Sequence, residues 1–352
     1  MRPLPSLVTL LGLFKYTGSA PSGKNIIINT DLYSDVDDAG ALLLACTHPD
    51  ANLLGVNVNY PSTYSALAAS ALLGYYSHSG VPLGLIRPYT NVTWLDDYTY
   101  ENGEYASKVA YHWRENSPLP WGDVQGTWEP VKLYRKLLAE QGDGSVTIVG
   151  IGFFDNLSAL LSSQPDPYSP LTGSELILTK VAELVIMGGS YPSGREYNFF
   201  GYNATAAAHV VNNWPGNLTF VGDQVGKHVL SGGRLALGGP ERDPVRAAYT
   251  WYNGERRWRP SWDPLTMLYA IEGLGDVFRV GSNSGHNHVY PDGRNVWRSW
   301  DDKRSQRYLE LAVSNETAGA ILDDKFLLGA IRATGMQFES SGYYGQDVLG
   351  FF

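Results

Sequence analysis

Residues 26–46, IIINTDLYSDVDDAGALLLAC, place four carboxylates within eight positions between two apolar runs. Ile26, Ile27 and Ile28 read as a strand buried on both faces of a parallel sheet. Residues 39–45 read as a helix. Asp31, Asp35, Asp37 and Asp38 therefore fall on a strand-to-helix loop, where ligands bind in an open α/β sheet. Four like charges this close repel, which is tolerable when a cation neutralises them or when some stay protonated. Hard divalent cations prefer carboxylate oxygen, and calcium accepts bidentate ligands in flexible geometry. The loop thus indicates a Ca²⁺ or Mg²⁺ site, or else a solvated acidic turn in which Asp37 or Asp38 caps the helix. An EF-hand fits poorly. In the frame beginning at Asp35, Gly40 takes the sixth position, but Cys46 stands where the bidentate Glu belongs.

The pattern continues as strand, helix and strand at residues 53–59, 62–79 and 81–86. Such alternation with short links predicts a mostly parallel sheet with right-handed crossovers, flanked by helices. Helices follow at 129–140, 203–212 and 263–271, and one starts at 157–161. Buried strands are expected at 145–152, 184–189 and 218–221. Residues 263–271 open with Asp263 as a cap and a Pro in the first turn. Residues 280–352 alternate in places, most clearly at 288–300, and predict a small C-terminal antiparallel appendage. Residues 87–128 are rich in Trp and Tyr and have no clear period, apart from a short helix expected at 105–114. They read as an insertion in a single domain spanning 21–352.

The 352 residues carry 43% hydrophobic and 17% charged side chains, a composition that buries a core. The net charge of −9 argues against binding a nucleic-acid backbone and leaves small neutral or cationic substrates open. Cys46 is the single cysteine, so no internal disulfide forms, and its apolar surroundings predict a buried, unreactive thiol.

Arg2, an apolar run at 4–14 and the small residues Gly18, Ser19 and Ala20 form a secretory signal pattern over residues 1–20. The run is too short to span a bilayer comfortably, and no other segment reads as transmembrane. Lys15 and Tyr16 make the cleavage region imperfect. Sequons at Asn91, Asn156, Asn203, Asn217 and Asn315 accord with a secreted, extracellular glycoprotein.

Five stretches, in order, resemble the inosine-uridine-preferring nucleoside hydrolase family. NTDLYSDVDDAGALLLA resembles its N-terminal Asp-x-Asp…Asp-Asp signature, and GVNVN its second strand. VTIVGIGFFDNLSALL resembles the strand and turn usually read as Gly-Pro-Leu-Thr-Asn. VIMGGSY with REYNFF resembles the Met-Gly-Gly strand and its Glu-Phe-Asn partner, and SWDPLTMLYA the C-terminal helix start. The resemblance implies a Ca²⁺-dependent hydrolase of N-glycosidic bonds acting on small nucleosides, with no nucleic-acid or membrane partner and a possible homo-oligomer. Asp31 would be a calcium ligand and the base for the attacking water. Asp38, Asp263 and the Ile151 carbonyl would complete the protein ligands. Asp37 and Asn198 would hold ribose hydroxyls, Glu196 the 5′-hydroxyl, and Asn59 and Met187 would line the sugar pocket. A ring of carboxylates favours the oxocarbenium charge that develops on ribose.

The chain departs from the family in three places. The acidic loop is two residues longer than the commonest form and carries the extra Asp35, so a swap of roles between Asp31 and Asp35 stays open. The Gly-Pro-Leu-Thr-Asn turn has become Gly152-Phe153-Phe154-Asp155-Asn156. Trp262 stands where inosine-uridine members have a His that helps the base leave. The purine-preferring branch also has an aromatic there, and base stacking is worth roughly 1–3 kcal/mol, so the resemblance leans toward purine nucleosides. Two rivals remain: a non-catalytic nucleoside- or ribose-binding relative, and a hydrolase of another ribosyl compound. Trp94, Trp113 and Trp121 are candidates for a second stacking partner. The seven histidines show no metal-ligand spacing. In the alignment with the family, Asn156 lies too close behind a buried strand to carry a glycan.

Overall fold

The computed structural model describes residues 23–33, 35–91, 103–254, 258–299 and 305–335. The expected signal segment, Trp94 and part of the aromatic insertion lie outside them.

Eight strands form the central sheet. They are β1 (Lys24–Thr30), β2 (Ala51–Val58), β3 (Leu83–Leu85), β4 (Val146–Ile151), β5 (Val181–Met187), and, after a short β6 (Ser193–Arg195), β7 (Leu218–Val221); two-residue strands β8 (Leu230–Ser231) and β9 (Arg259–Pro260) precede β10 (Phe278–Ser282), and β11 (His286–Val289) and β12 (Arg294–Arg298) precede β13 (Gln306–Leu311). The sheet order is β10-β13-β7-β5-β4-β1-β2-β3. Every neighbouring pair is parallel except β10 with β13. From β1 the chain builds outward through β2 and β3, then returns to β4 on the other side of β1. The sequence order therefore reverses between β1 and β4, and a crevice opens at the carboxyl ends of those strands.

The apolar run of β1 is continuous because both faces are covered. Ile26 and Ile28 belong to one core with the helices α1 (Asp37–Thr47), α2 (Thr63–Tyr75) and α3 (Ala106–His112). Ile27 belongs to the opposite core with α4 (Pro130–Ala139), α5 (Asp155–Ser162), α6 (Gly173–Lys180) and, beyond the short α7 (Tyr197–Phe200), α8 (Ala204–Asn213). The first core is completed by α9 (Asp223–Gly226), α10 (Gly233–Gly238), α11 (Pro244–Asn253), α12 (Trp262–Glu272) and α13 (Asn315–Ala333).

Caps at helix starts agree with the sequence. Ser62 accepts the Tyr64 N–H ahead of α2, and Glu129 accepts the Val131 and Lys132 N–H groups ahead of α4, whose first residue is Pro130. The C-terminal third is less uniform than expected. β11 and β12 pair antiparallel and join β6 in a three-stranded sheet, which is the expected appendage. β10 and β13 instead extend the central sheet, and α13, with Ser314 as its cap, is helical. No helix among the described residues is long and apolar enough to cross a membrane.

Candidate active site

The crevice at the reversal point is a cavity of about 490 Å³. Asp31 and Asp35 reach it from the β1–α1 loop, Asp37 and Asp38 from the first turn of α1 instead of the loop expected, Ile151 from the end of β4, and Met187 from the end of β5. Glu196 and Asn198 come from the start of α7, and Trp262 and Asp263 from the start of α12. Nine of the ten residues named from the sequence thus meet in one cavity.

The tenth, Asn59, does not line it. Its side chain is fully buried, donates to the Phe153 carbonyl at 2.6 Å and receives the Phe153 N–H at 3.2 Å. Asn29 donates to the same carbonyl at 2.8 Å, and Asn156 donates to the Val58 carbonyl at 3.3 Å. The three amides fasten the turn after β4 to the ends of β1 and β2. Asn59 is a clamp because its amide offers both a donor and an acceptor to one peptide. The buried amide of Asn156 is occupied too, which agrees with its exclusion as a glycan site.

Gly152 sits in this turn against Asp31. A Cβ there would lie 2.4 Å from the Asp31 N and 2.7 Å from its Oδ1. Only glycine lets the two segments approach so closely.

Asp37 performs a task that local spacing does not reveal. Its Oδ2 accepts the backbone N–H groups of Trp262 at 3.1 Å and Asp263 at 3.0 Å. It therefore caps α12, not the helix in which it stands. Asp263, expected as the cap of α12, lies inside the first turn and presents its carboxylate to the cavity. Asp38 accepts a short hydrogen bond from the Thr30 hydroxyl.

One carboxylate oxygen from each of Asp37, Asp38 and Asp263 lies within 4.8 Å of the others. This trio differs in one member from the expected set, with Asp37 in place of Asp31; Asp31 and Ile151 flank it in the same cavity. All four aspartates are at most 8% exposed. Burial, and then the neighbouring carboxylates, push Asp37, Asp38 and Asp263 far above the usual range, and burial pushes Asp31 up to about 7. Buried oxygen donors that repel one another suit a hard divalent cation, which would remove the cost of ionising them.

In the same cavity, Glu196 is held by the N–H groups of Asn198 at 2.8 Å and Gly189 at 3.1 Å. Burial pushes its carboxyl up to about 8. Asn198 donates to the Met187 carbonyl at 3.3 Å and to its sulfur at 3.2 Å, which joins α7 to the end of β5.

Trp262 donates its indole N–H to the Asp223 carbonyl at 2.9 Å. The ring rests on Gly226, where a Cβ would come within 2.5 Å of it. It is anchored edge-on and has no titratable proton to give. Trp113 and Trp121 do not line the cavity. Trp113 donates to the Arg242 carbonyl at 3.0 Å, and Trp121 packs against Tyr111 with nearly half its surface exposed.

Sequence reasoning missed Arg259. Its guanidinium grips Asp35 through Nε, at 2.8 and 3.1 Å to the two oxygens, and through Nη2. It also lines the cavity, as do Arg195 and Lys227. The clue was the extra acid in the loop: Asp35 without a metal role needs a counter-charge.

Comparisons with known proteins agree with this arrangement. The profile of the family described as inosine-uridine preferring nucleoside hydrolase matches residues 26–325. A probable uridine nucleosidase 2 from Arabidopsis thaliana is 25% identical over 220 residues, 59% of this chain and 61% of the relative; the match spans less than two thirds of that protein. A plant nucleoside hydrolase structure superimposes with a TM-score of 0.63 at 19% identity, covering 88% of this chain and 99% of the other. An inosine-uridine preferring nucleoside hydrolase from Bacillus anthracis gives 0.62 at 17% identity, and a purine-preferring ribonucleoside hydrolase from Gardnerella vaginalis gives 0.63 at 16% identity. Each covers 88% of this chain and is itself covered over 99% of its length.

Proposed function

The chain belongs to the inosine-uridine preferring nucleoside hydrolase family, and from that premise we propose that it cleaves the N-glycosidic bond of purine ribonucleosides, with Ca²⁺ bound at the aspartate cluster. The observation that carries the proposal is the placement of buried aspartates and Trp262 in one cavity at the reversal point of the sheet. Asp38 and Asp263, with Asp31 or Asp37 and the Ile151 carbonyl, would hold the cation. When bound, it supplies charge neutralisation and polarises the water and ribose hydroxyls that reach it.

The chain's own groups divide the remaining work. Asp31, buried in the cavity among the other acids, takes the proton of the attacking water. Asp37 and Asn198 orient the ribose hydroxyls, and Glu196 the 5′-hydroxyl. The carboxylates favour the positive charge that spreads over the sugar ring as the bond to the base breaks. Trp262 offers a ring face to the base.

The test is ribose release from inosine, guanosine, adenosine and uridine, with and without EDTA. Activity that EDTA abolishes and Ca²⁺ restores is the expected result. No ribose from any of the four, with Ca²⁺ present, overturns it. A second reading, nucleoside binding without turnover, rests on the indole of Trp262, which cannot protonate the base. Calorimetry that shows stable binding of intact nucleoside would favour it. Secretion belongs to the proposal as well, on residues 1–20 and the surface sequons Asn91 and Asn217. N-terminal sequencing of the exported protein would check the cleavage.

A further inference from the structure

Arg259 is a cation of the cavity that its ion pair with Asp35 does not use up. Its side chain is 17% exposed and that of its partner Asp35 is 24% exposed. The guanidinium carbon lies 5.6 Å from the Trp262 ring centroid and 5.3 Å from that of Tyr252. Nε and Nη2 are taken by Asp35, whose backbone carbonyl is in turn held by the Tyr105 hydroxyl at 2.7 Å and whose Oδ1 accepts the Val36 N–H at 2.6 Å. Among the described residues, Nη1 donates to no protein acceptor. A planar fork is thus bonded along one edge, with Nη1 left over and its carbon over the Trp262 ring.

We propose that Arg259 is the specificity-determining residue of the leaving-group subsite, and that its open edge receives the acceptor atoms of a 6-oxopurine stacked on Trp262. The proposal rests on the nucleoside hydrolase reading and names the base subsite of that same cavity. The oxygen and ring nitrogen on one edge of hypoxanthine or guanine are both acceptors, the pattern a guanidinium matches. Adenine has an amino donor at that position and loses the match.

The chemistry needs no proton from Arg259. As the glycosidic C–N bond breaks, its electron pair passes to the base, where it is delocalised onto those acceptor atoms. The oxygen of water bonds to the sugar carbon, and the water proton goes to a carboxylate. Arginine stays charged and donates hydrogen bonds to the departing anion, which then takes its proton from solvent. Asp35 is a positioning residue: it holds the fork in place through Nε and Nη2.

The test compares wild type with Arg259→Gln on inosine, guanosine, adenosine and nitrophenyl riboside, whose leaving group departs without assistance. For inosine and guanosine, kcat/KM is expected to fall roughly 10- to 100-fold, the range for a charge-assisted hydrogen bond. Adenosine and nitrophenyl riboside should fall no more than about threefold, so that the preference for inosine over adenosine collapses. Equal losses on all four substrates overturn the proposal and leave Arg259 a structural ion pair. If Arg259→Gln does not fold, as judged by circular dichroism melting, Arg259→Lys keeps the charge without the fork and is expected to collapse the same ratio; an unchanged ratio overturns it. If wild type releases ribose from nothing, the hydrolase reading fails separately. Calorimetry with free hypoxanthine and adenine then decides: tighter hypoxanthine binding that Arg259→Lys removes supports the subsite, and equal affinities overturn it.

Discussion

Asp37 Oδ2 accepts the N–H of Asp263, a residue 226 positions further along, at 3.0 Å. One acid of the N-terminal loop therefore holds in register the helix that delivers another acid to the same cluster. The cap does more than stabilise α12. It couples the position of Asp263 to that of Asp38, the next residue after Asp37. Trp262 is held by the same oxygen at 3.1 Å, which ties the start of α12 to the acidic segment.

Replacing Asp37 tests that coupling. Asp37→Ala removes the acceptor of two N–H groups at the start of α12. A lost cap costs about 0.5–2 kcal/mol, which in a chain of this length lowers the melting temperature by about 1–3 °C. Ribose release should fall far more than the stability loss explains, because Trp262 and Asp263 lose their common anchor and the cavity loses the Asp37 carboxylate itself. Unchanged activity in a protein with lowered melting temperature would show that the cap is only structural.

The aspartate cluster sets a pH dependence. Burial and mutual repulsion raise Asp37, Asp38 and Asp263, and burial raises Asp31 to about 7, against about 3.9 in an unfolded chain. A carboxyl raised on folding binds its proton more tightly in the native state. Its stabilising contribution is full below about pH 4 and is lost as pH rises through the native value. For the metal-free chain, the cluster thus destabilises the fold between about pH 4 and pH 7 and above. A cation binds the ionised form and reverses this. The rise in melting temperature on adding Ca²⁺ should be larger at pH 8 than at pH 5, and binding should release protons. Equal shifts at both values would mean that the cation binds elsewhere.

Gly152 offers a steric test of Asp31. Gly152→Ala would place a Cβ against the backbone N and the carboxylate of Asp31, and the nearer of the two is main chain that cannot swing away. Displacing a reacting group by about 1 Å can cost about 100-fold in rate. The variant should keep its helical signal and lose activity on that scale, with KM changed little. A fully active Gly152→Ala would remove Asp31 from the reaction.

The parts of this site that were legible in the sequence are those carried by short motifs on buried strands. An uninterrupted Ile26–Ile28 followed by aspartates can hardly be anything other than a buried strand emptying into a loop, and Asp31, Asp38, Ile151 and Asp263 line one cavity. What stayed hidden are pairings between distant segments. Asp35 with Arg259, and Asp37 with the α12 amides, join residues more than 220 positions apart. Neither pair has a periodic or compositional trace. Asn59 was misplaced for a related reason: a polar residue after a strand can point into a crevice or across to the next turn, and only the neighbouring Phe153 peptide decides. Asn59→Ala should accordingly act on stability, about 1–3 kcal/mol for the orphaned Phe153 N–H, as read by chemical denaturation.

Trp262 separates stacking from proton donation, and two substitutions divide them. The indole N–H is bound to Asp223, so the ring contributes its face alone. Trp262→Ala removes the face. At roughly 1–3 kcal/mol per stacked base, KM for inosine should rise about 5- to 100-fold, with nitrophenyl riboside less affected because its smaller ring stacks less. Trp262→His puts a titratable group at the same place. Its ring is smaller, so stacking weakens, but a protonated imidazole can hand a proton to the departing base. The activity of Trp262→His on inosine should therefore decline as pH rises through about 6.5, a limb that a tryptophan cannot produce. If the pH profiles of wild type and Trp262→His coincide, position 262 does not face the leaving group, and the purine assignment built on its ring fails with it.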